Sequence, residues 1–121
     1  MKLMLKSADD NNILQLIYSI LSNRKLEKIS IIDLNGMDVL YKHVVIATAL
    51  SKRHVKTSAE FLIKELKVND IYMVNLSGID KDDWVMIDFN SVVVHIFIEE
   101  VRAFYDLDSM WIEEEGCQLL N

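Results

Sequence analysis

The sequence predicts a single α/β domain in which a mixed, five-stranded sheet is flanked by helices. Segments with apolar residues at helical spacing alternate with short β-branched runs, in the order helix, strand, strand, helix, strand, strand, strand, helix. A length of 121 residues suits one core, and 51% hydrophobic against 26% charged residues calls for a packed globule rather than a disordered chain. Proline is absent, and glycine stands only at Gly36, Gly78 and Gly116. No linker, repeat or low-complexity tract divides residues 1–121, so Asn, Asp and Ser clusters must punctuate the chain.

Asp9, Asp10 and Asn11 offer N-cap oxygens to a first helix whose inward face is Ile13, Leu16, Ile17, Ile20 and Leu21. Residues 28–34 read as a strand, with Ile29 and Ile31 on one face and Ile32 and Leu34 toward the other. Asn35-Gly36-Met37-Asp38 supplies turn chemistry. Residues 44–49 are almost continuously apolar, as a strand covered on both faces requires. Ser51 can cap the next helix, which turns Val55, Ala59, Leu62, Ile63 and Leu66 inward. Residues 71–75 predict a third strand, closed by Ser77-Gly78. Only Asn90-Ser91 separates 84–89 from 92–98, which predicts an antiparallel hairpin. Residues 99–111 predict a last helix, with Glu99 and Glu100 where its dipole favours acids, and 113–121 is expected to fray.

Charge narrows the partners. Thirteen Lys and Arg against nineteen Asp and Glu leave a net charge of −6, the wrong sign for a protein that lives by neutralising nucleic-acid phosphates. A basic protein partner, or simply the need to stay soluble, fits better. No apolar run approaches the ~18–20 residues of a membrane helix. Lys2 and Lys6 bracket too few apolar residues for a secretory leader, and the one cysteine, Cys117, suits a reducing cytosol. A cytoplasmic domain is expected.

Three segments of the last third are more specific. Asp83-Trp84-Val85-Met86-Ile87-Asp88, Val92-Val93-Val94-His95-Ile96-Phe97 and Arg102-Ala103-Phe104-Tyr105-Asp106-Leu107-Asp108-Ser109-Met110-Trp111, in that order, closely resemble the ribosomal silencing factor family, also called iojap or RsfS. Upstream, Ile31-Ile32-Asp33-Leu34, Val45-Ile46-Ala47-Thr48 and Ser51-Lys52-Arg53-His54-Val55 keep the family's order and spacing, so the resemblance covers residues 9–111. It implies a nucleotidyltransferase-like fold without the catalytic motif, and a translational repressor that needs no cofactor. Such a factor binds ribosomal protein fourteen of the large subunit, blocks joining of the small subunit and lowers protein synthesis when nutrients are short. The sequence departs from the family at Leu40-Tyr41-Lys42, where a Thr-Asp pair is usual. It departs again at Ala49-Leu50, where Gly and a small polar residue are usual, and at Asn90-Ser91, where Gly-Asp is common.

An enzyme of that fold would need carboxylates converging on metal ions and a Gly-Ser helix start for a triphosphate. Asp33, Asp80, Asp82 and Asp88 are the carboxylates a small nucleotide-binding or nucleotidyltransferase-like enzyme would use, but Asp80-Lys81-Asp82 has no Gly-Ser partner and Asp33 and Asp88 end strands alone. Asp106 and Asp108, at i, i+2 on a helix, point about 200° apart. His43, His54 and His95 have no metal-ligand spacing, so no metal site is expected. His95 shares a strand face with Val93 and Phe97 and reads as a hydrogen-bonded core histidine.

Binding is the better reading of the remaining polar and aromatic residues. Trp84 follows the acidic loop 80–83 and opens a strand, which suits either an interface anchor or a core residue on the sheet edge. The resemblance, in which the matching Trp lies at the ribosomal contact, favours the anchor. Asp82 and Asp83 would flank it and steer a basic partner. On the last helix, Phe104, Leu107 and Trp111 share one face, which leaves Arg102 and Tyr105 partly exposed toward the partner. Lys52, Arg53, His54 and Lys56 crowd a helix N-terminus, where cations oppose the dipole. They would either contact ribosomal RNA backbone or pair with an acid such as Asp33 or Glu60. An edge strand would also support a homodimer in the free protein.

Overall fold

The computed structural model describes residues 10–34, 42–78, 83–105 and 118–119. In chain order these form α1 (Asp10–Asn23), β1 (Glu27–Asp33), β2 (His43–Ala49), α2 (Lys52–Val68), β3 (Asn75–Ser77), β4 (Trp84–Asp88), β5 (Val92–Ile98), α3 (Glu99–Tyr105) and β6 (Gln118–Leu119). The strands lie in the order β3-β4-β5-β2-β1-β6. β2 and β5 run parallel at the centre, from His43 opposite Val92 to Ala49 opposite Ile98, and the other pairings are antiparallel. The mixed five-stranded sheet is therefore present, with β6 added at the β1 edge. Residues 118–119 pair with Ile32 and Asp33, so this part of the expected frayed tail is anchored.

β2 and β5 carry the core because most side chains on them are apolar, eight of the fourteen being Val or Ile. His43–Ala49 is buried from Val44 onward, and Val92–Phe97 is buried throughout. On one face, α1 contributes Leu14, Ile17, Ile20 and Leu21 and α2 contributes Val55, Ala59, Leu62 and Leu66. These pack on Ile29, Val45, Ala47, Val85, Ile87, Val94 and Ile96; each such aliphatic side chain contributes roughly 1.5–3 kcal/mol by leaving water. The opposite face holds a smaller cluster of Ile32, Leu34, Val44, Ile46 and Phe97, with Trp84 and Val101 against it. β1 divides Ile29 and Ile31 from Ile32 and Leu34 as the alternation predicts.

The helix and turn signals work as the residue types require. Ser51 Oγ accepts the His54 amide at 3.1 Å and caps α2. At the other end Asp70 takes φ = +64°, its amide reaches the Lys67 carbonyl, and the Ile71 amide reaches that of Leu66, a Schellman closure built on Asp in place of Gly. This closure displaces the third strand from its expected place. The chain is still completing the helix end at Ile71, pairing with β4 starts at the Val74 amide, and β3 spans Asn75–Ser77 rather than 71–75. In the β4–β5 hairpin Asn90 supplies the positive φ, +85°, and Asp88 Oδ1 accepts its amide at 2.8 Å. The turn at Asn35–Asp38, the loop at 79–82 and the expected burial of Phe104, Leu107 and Trp111 lie outside the described residues.

Candidate functional site

Trp84, Met86, Val93, His95 and Phe97 fall on the same face of β4 and β5, since Trp84 stands opposite Phe97 and Met86 opposite His95. The indole of Trp84 is half-buried. Its ring meets Phe97 edge-on, with centroids 5.7 Å apart and planes at 77°, and its Nε1–H donates to His95 Nδ1 at 3.2 Å. His95 is 7% exposed, and burial lowers its pKa from 6.5 to about 4; a neutral imidazole is what an acceptor at Nδ1 requires. The Trp84 backbone is held as closely. Gly78 sits at φ = +85° against the Trp84 carbonyl, where a Cβ would collide with the oxygen, and the Asp83 carbonyl accepts the Ile98 amide at 3.2 Å. Trp84 thus packs against the second cluster and remains partly accessible. Asp83 is half-exposed beside it; Asp82 lies outside the described residues.

Arg102 departs from its expected exposure. It is 8% exposed, and its guanidinium is used internally: Nη1 donates to the Lys28 carbonyl at 2.6 Å and to Thr48 Oγ1 at 2.8 Å, and Nη2 donates to Ser30 Oγ at 3.2 Å. The cause is a bulge in β1. The register shifts between Glu27 and Ser30, with Lys28 at φ = +49°, so the Lys28 carbonyl leaves the ladder and a guanidinium satisfies it. Helical spacing placed Arg102 one step from an apolar face but could not reveal the polar gap it fills. Tyr105 closes α3, and its side chain lies outside the described residues. Beside Arg102, Lys28 Nζ bridges both Glu99 oxygens at 3.0 Å; both side chains are exposed, so the pair adds little stability.

The basic cluster divides. Lys52, Arg53 and Lys56 are exposed, and the first turn of α2 has no acid. His54 is a strut: its Nδ1 accepts the Leu50 amide at 2.9 Å, and its Nε2 lies 2.7 Å from the Arg24 carbonyl, to which it donates. With both ring nitrogens engaged, it joins the α1–β1 turn to the start of α2 and leaves no atom for a phosphate. Asp33 is not the acid for this cluster, because it faces His43 Nε2 at 3.9 Å on the neighbouring strand.

The carboxylates do not converge. Asp33 pairs with His43, which stands beside Val92, whereas Asp88 pairs with Val93. Both therefore lie at one end of the sheet, three strand spacings or roughly 14 Å apart, too far to share a metal ion. Asp80 and Asp82 lie outside the described residues. Among the described residues no three His, Cys, Asp or Glu side chains gather as a metal site. At the carboxyl ends of β2 and β5, where sheets of this kind usually hold ligands, a crevice of about 640 Å³ is lined by Lys28, Thr48, Lys52, Glu99 and Glu100. Its charges are mixed and two of them are paired with each other. No helix of the described residues is long and apolar enough to cross a membrane.

A mixed sheet with two helices packed on one face and a braced, partly buried tryptophan on the other defines a small α/β domain. Residues 7–120 match the family described as ribosomal silencing factor during starvation, and the chain belongs to that family. It is 32% identical over 105 residues to the ribosomal silencing factor RsfS of Zymomonas mobilis, covering 87% of this chain and 79% of that one. It is 28% identical to the RsfS of Halalkalibacterium halodurans, covering 91% and 94%. It also matches the mouse mitochondrial assembly of ribosomal large subunit protein 1, at 29% identity over 81% of this chain and 44% of the mouse protein. A crystal structure of a Chromobacterium violaceum protein superposes with a TM-score of 0.81 at 28% identity, covering 87% of this chain and 88% of that one. The two bacterial relatives are named as silencing factors and not as enzymes.

Proposed function

We propose that the protein represses translation in the cytoplasm by binding the large ribosomal subunit, chiefly through ribosomal protein fourteen, and sterically preventing the small subunit from docking. Family membership supplies the framework, and the observation that carries the reading to a surface is Trp84. A large aromatic side chain, packed mostly against the core yet still partly accessible at the start of an edge-proximal strand, has the form of an interface anchor. Asp83 beside it provides a charge that attracts a basic ribosomal protein and raises the encounter rate more than the affinity. Lys52, Arg53 and Lys56 form a separate exposed cation group for a minor contact with ribosomal RNA backbone; His54 is not part of it. No cofactor or turnover is required, since repression follows occupancy alone. Sedimentation with separated subunits tests this. Wild-type protein should migrate with the large subunit and reduce the yield of joined ribosomes, and Trp84→Glu should abolish both effects. Wild-type protein that stays at the top of the gradient and leaves joining intact would refute the proposal. Magnesium-dependent nucleotide turnover by the purified protein would favour the enzyme reading instead.

A further inference from the structure

We propose that His95 is a positioning residue for docking: it holds Trp84 in the orientation the partner meets. The inference rests on the reading of Trp84 as the anchor and assigns a role to the histidine behind it. An indole at a strand end has two side-chain torsions and, where it is only partly buried, several staggered arrangements open to it. Three features restrict them. Phe97, fully buried, presents a T-shaped contact at 5.7 Å. Gly78 lets its own segment pack against the Trp84 carbonyl. Neither contact distinguishes one edge of the indole from the other. The Nε1–H···Nδ1 bond at 3.2 Å does, because it turns the N–H edge inward.

Two consequences follow for binding. The only polar atom of the indole is satisfied within the protein, so the surface offered outward is hydrocarbon and the partner need not supply an acceptor. The ordering cost of the anchor is also met before association, which leaves more of the contact energy as affinity. The bond assigns the imidazole proton to Nε2, and burial, which lowers the pKa to about 4, keeps Nδ1 free to accept throughout the neutral range. A histidine in this place is otherwise costly. It occupies a central strand among Val93, Val94, Ile96 and Phe97, where an apolar residue would pack without loss, and the bond to Trp84 is what its polarity provides.

The test uses the full chain carrying Trp111→Phe, so that Trp84 is the sole tryptophan of the two, together with isolated large subunits. His95→Phe removes the acceptor and keeps an aromatic ring; it should weaken binding about tenfold, as loss of one buried hydrogen bond at an anchor implies, and shift Trp84 emission to longer wavelength. His95→Asn, whose Oδ1 lies near the position of Nδ1, should stay within about threefold of the parent and restore the emission. In a Trp84→Phe background no N–H remains to be placed, so adding His95→Phe should change affinity less than about twofold. An equal loss in both backgrounds would overturn the proposal, because His95 would then act through the fold at large. So would unchanged emission and affinity in the single variant. Failure of the parent protein to bind the large subunit would instead refute the function proposed above. Trp84 emission would then decide alone whether His95 orders the indole, an unshifted spectrum counting against it.

Discussion

Replacing Arg102 with Met separates a structural arginine from an interface arginine. Met preserves length and apolar contact but removes the guanidinium, which leaves the Lys28 carbonyl, Thr48 Oγ1 and Ser30 Oγ without the donors that now sit at 2.6, 2.8 and 3.2 Å. Hydrogen bonds to a charged donor contribute about 1 kcal/mol or more each, and buried acceptors left unpaired lose their hydration as well, so the expected loss is about 3–4 kcal/mol. Against a total of roughly 5–15 kcal/mol that is a large share, and it corresponds to a fall in melting temperature of about 10–15 °C for a chain of this length. Urea and thermal unfolding of the variant would read this directly. Binding to large subunits, measured in the cold where the variant remains folded, should change less than about twofold. A variant with unaltered unfolding and lost binding would refute the reasoning and return Arg102 to the partner surface.

The pH dependence of stability should carry the signature of His95. Its pKa is about 4 in the folded protein against 6.5 when exposed, so the unfolded chain takes up this proton first. The stabilisation is complete above 6.5 and is lost as pH falls toward 4, with about 2 kcal/mol gone near pH 5. In urea titrations the wild type should therefore lose about 2 kcal/mol more than His95→Phe between pH 7.5 and 5, and equal slopes would contradict the assignment. Gly78→Ala places a methyl group against the Trp84 carbonyl at a positive φ. It should cost on the order of 1–3 kcal/mol and alter Trp84 fluorescence, whereas unchanged emission would mean that the close approach does not hold the tryptophan. Reversing charge at both Lys52 and Arg53 should weaken ribosome binding more at low salt than at high salt. Identical affinities at both would remove this group from the RNA contact.

Much of the fold was legible in local pattern. The α2 face, the Ser51 cap, the two-sided burial of β2 and the hairpin at Asn90-Ser91 each rest on residues within a few positions of one another, and local sterics and hydrogen bonding decide such features. β3 was misplaced because Asn69 and Asp70 could be read as a turn before a strand or as a helix closure. The hydrogen bonds to Leu66 and Lys67 choose the latter. Of the candidate residues, the place of Trp84 at the start of a strand and of the exposed cations at a helix start was legible by type and position. His54 and Arg102 were not, because the acceptors that engage them, the Arg24 and Lys28 carbonyls, are 30 and 74 positions away.

By itself the sequence determined the helices and the strands other than β3 and β6, where the apolar core lies and, through motif order, the family to which the chain belongs. These follow from periodicity and side-chain type, which are properties of neighbours along the chain. Only the tertiary structure decided which polar side chains are spent inside. The bulge that frees the Lys28 carbonyl and the guanidinium that covers it arise where strands and a helix distant in sequence meet. A buried donor must find its acceptor there, and no spacing along the chain records that meeting.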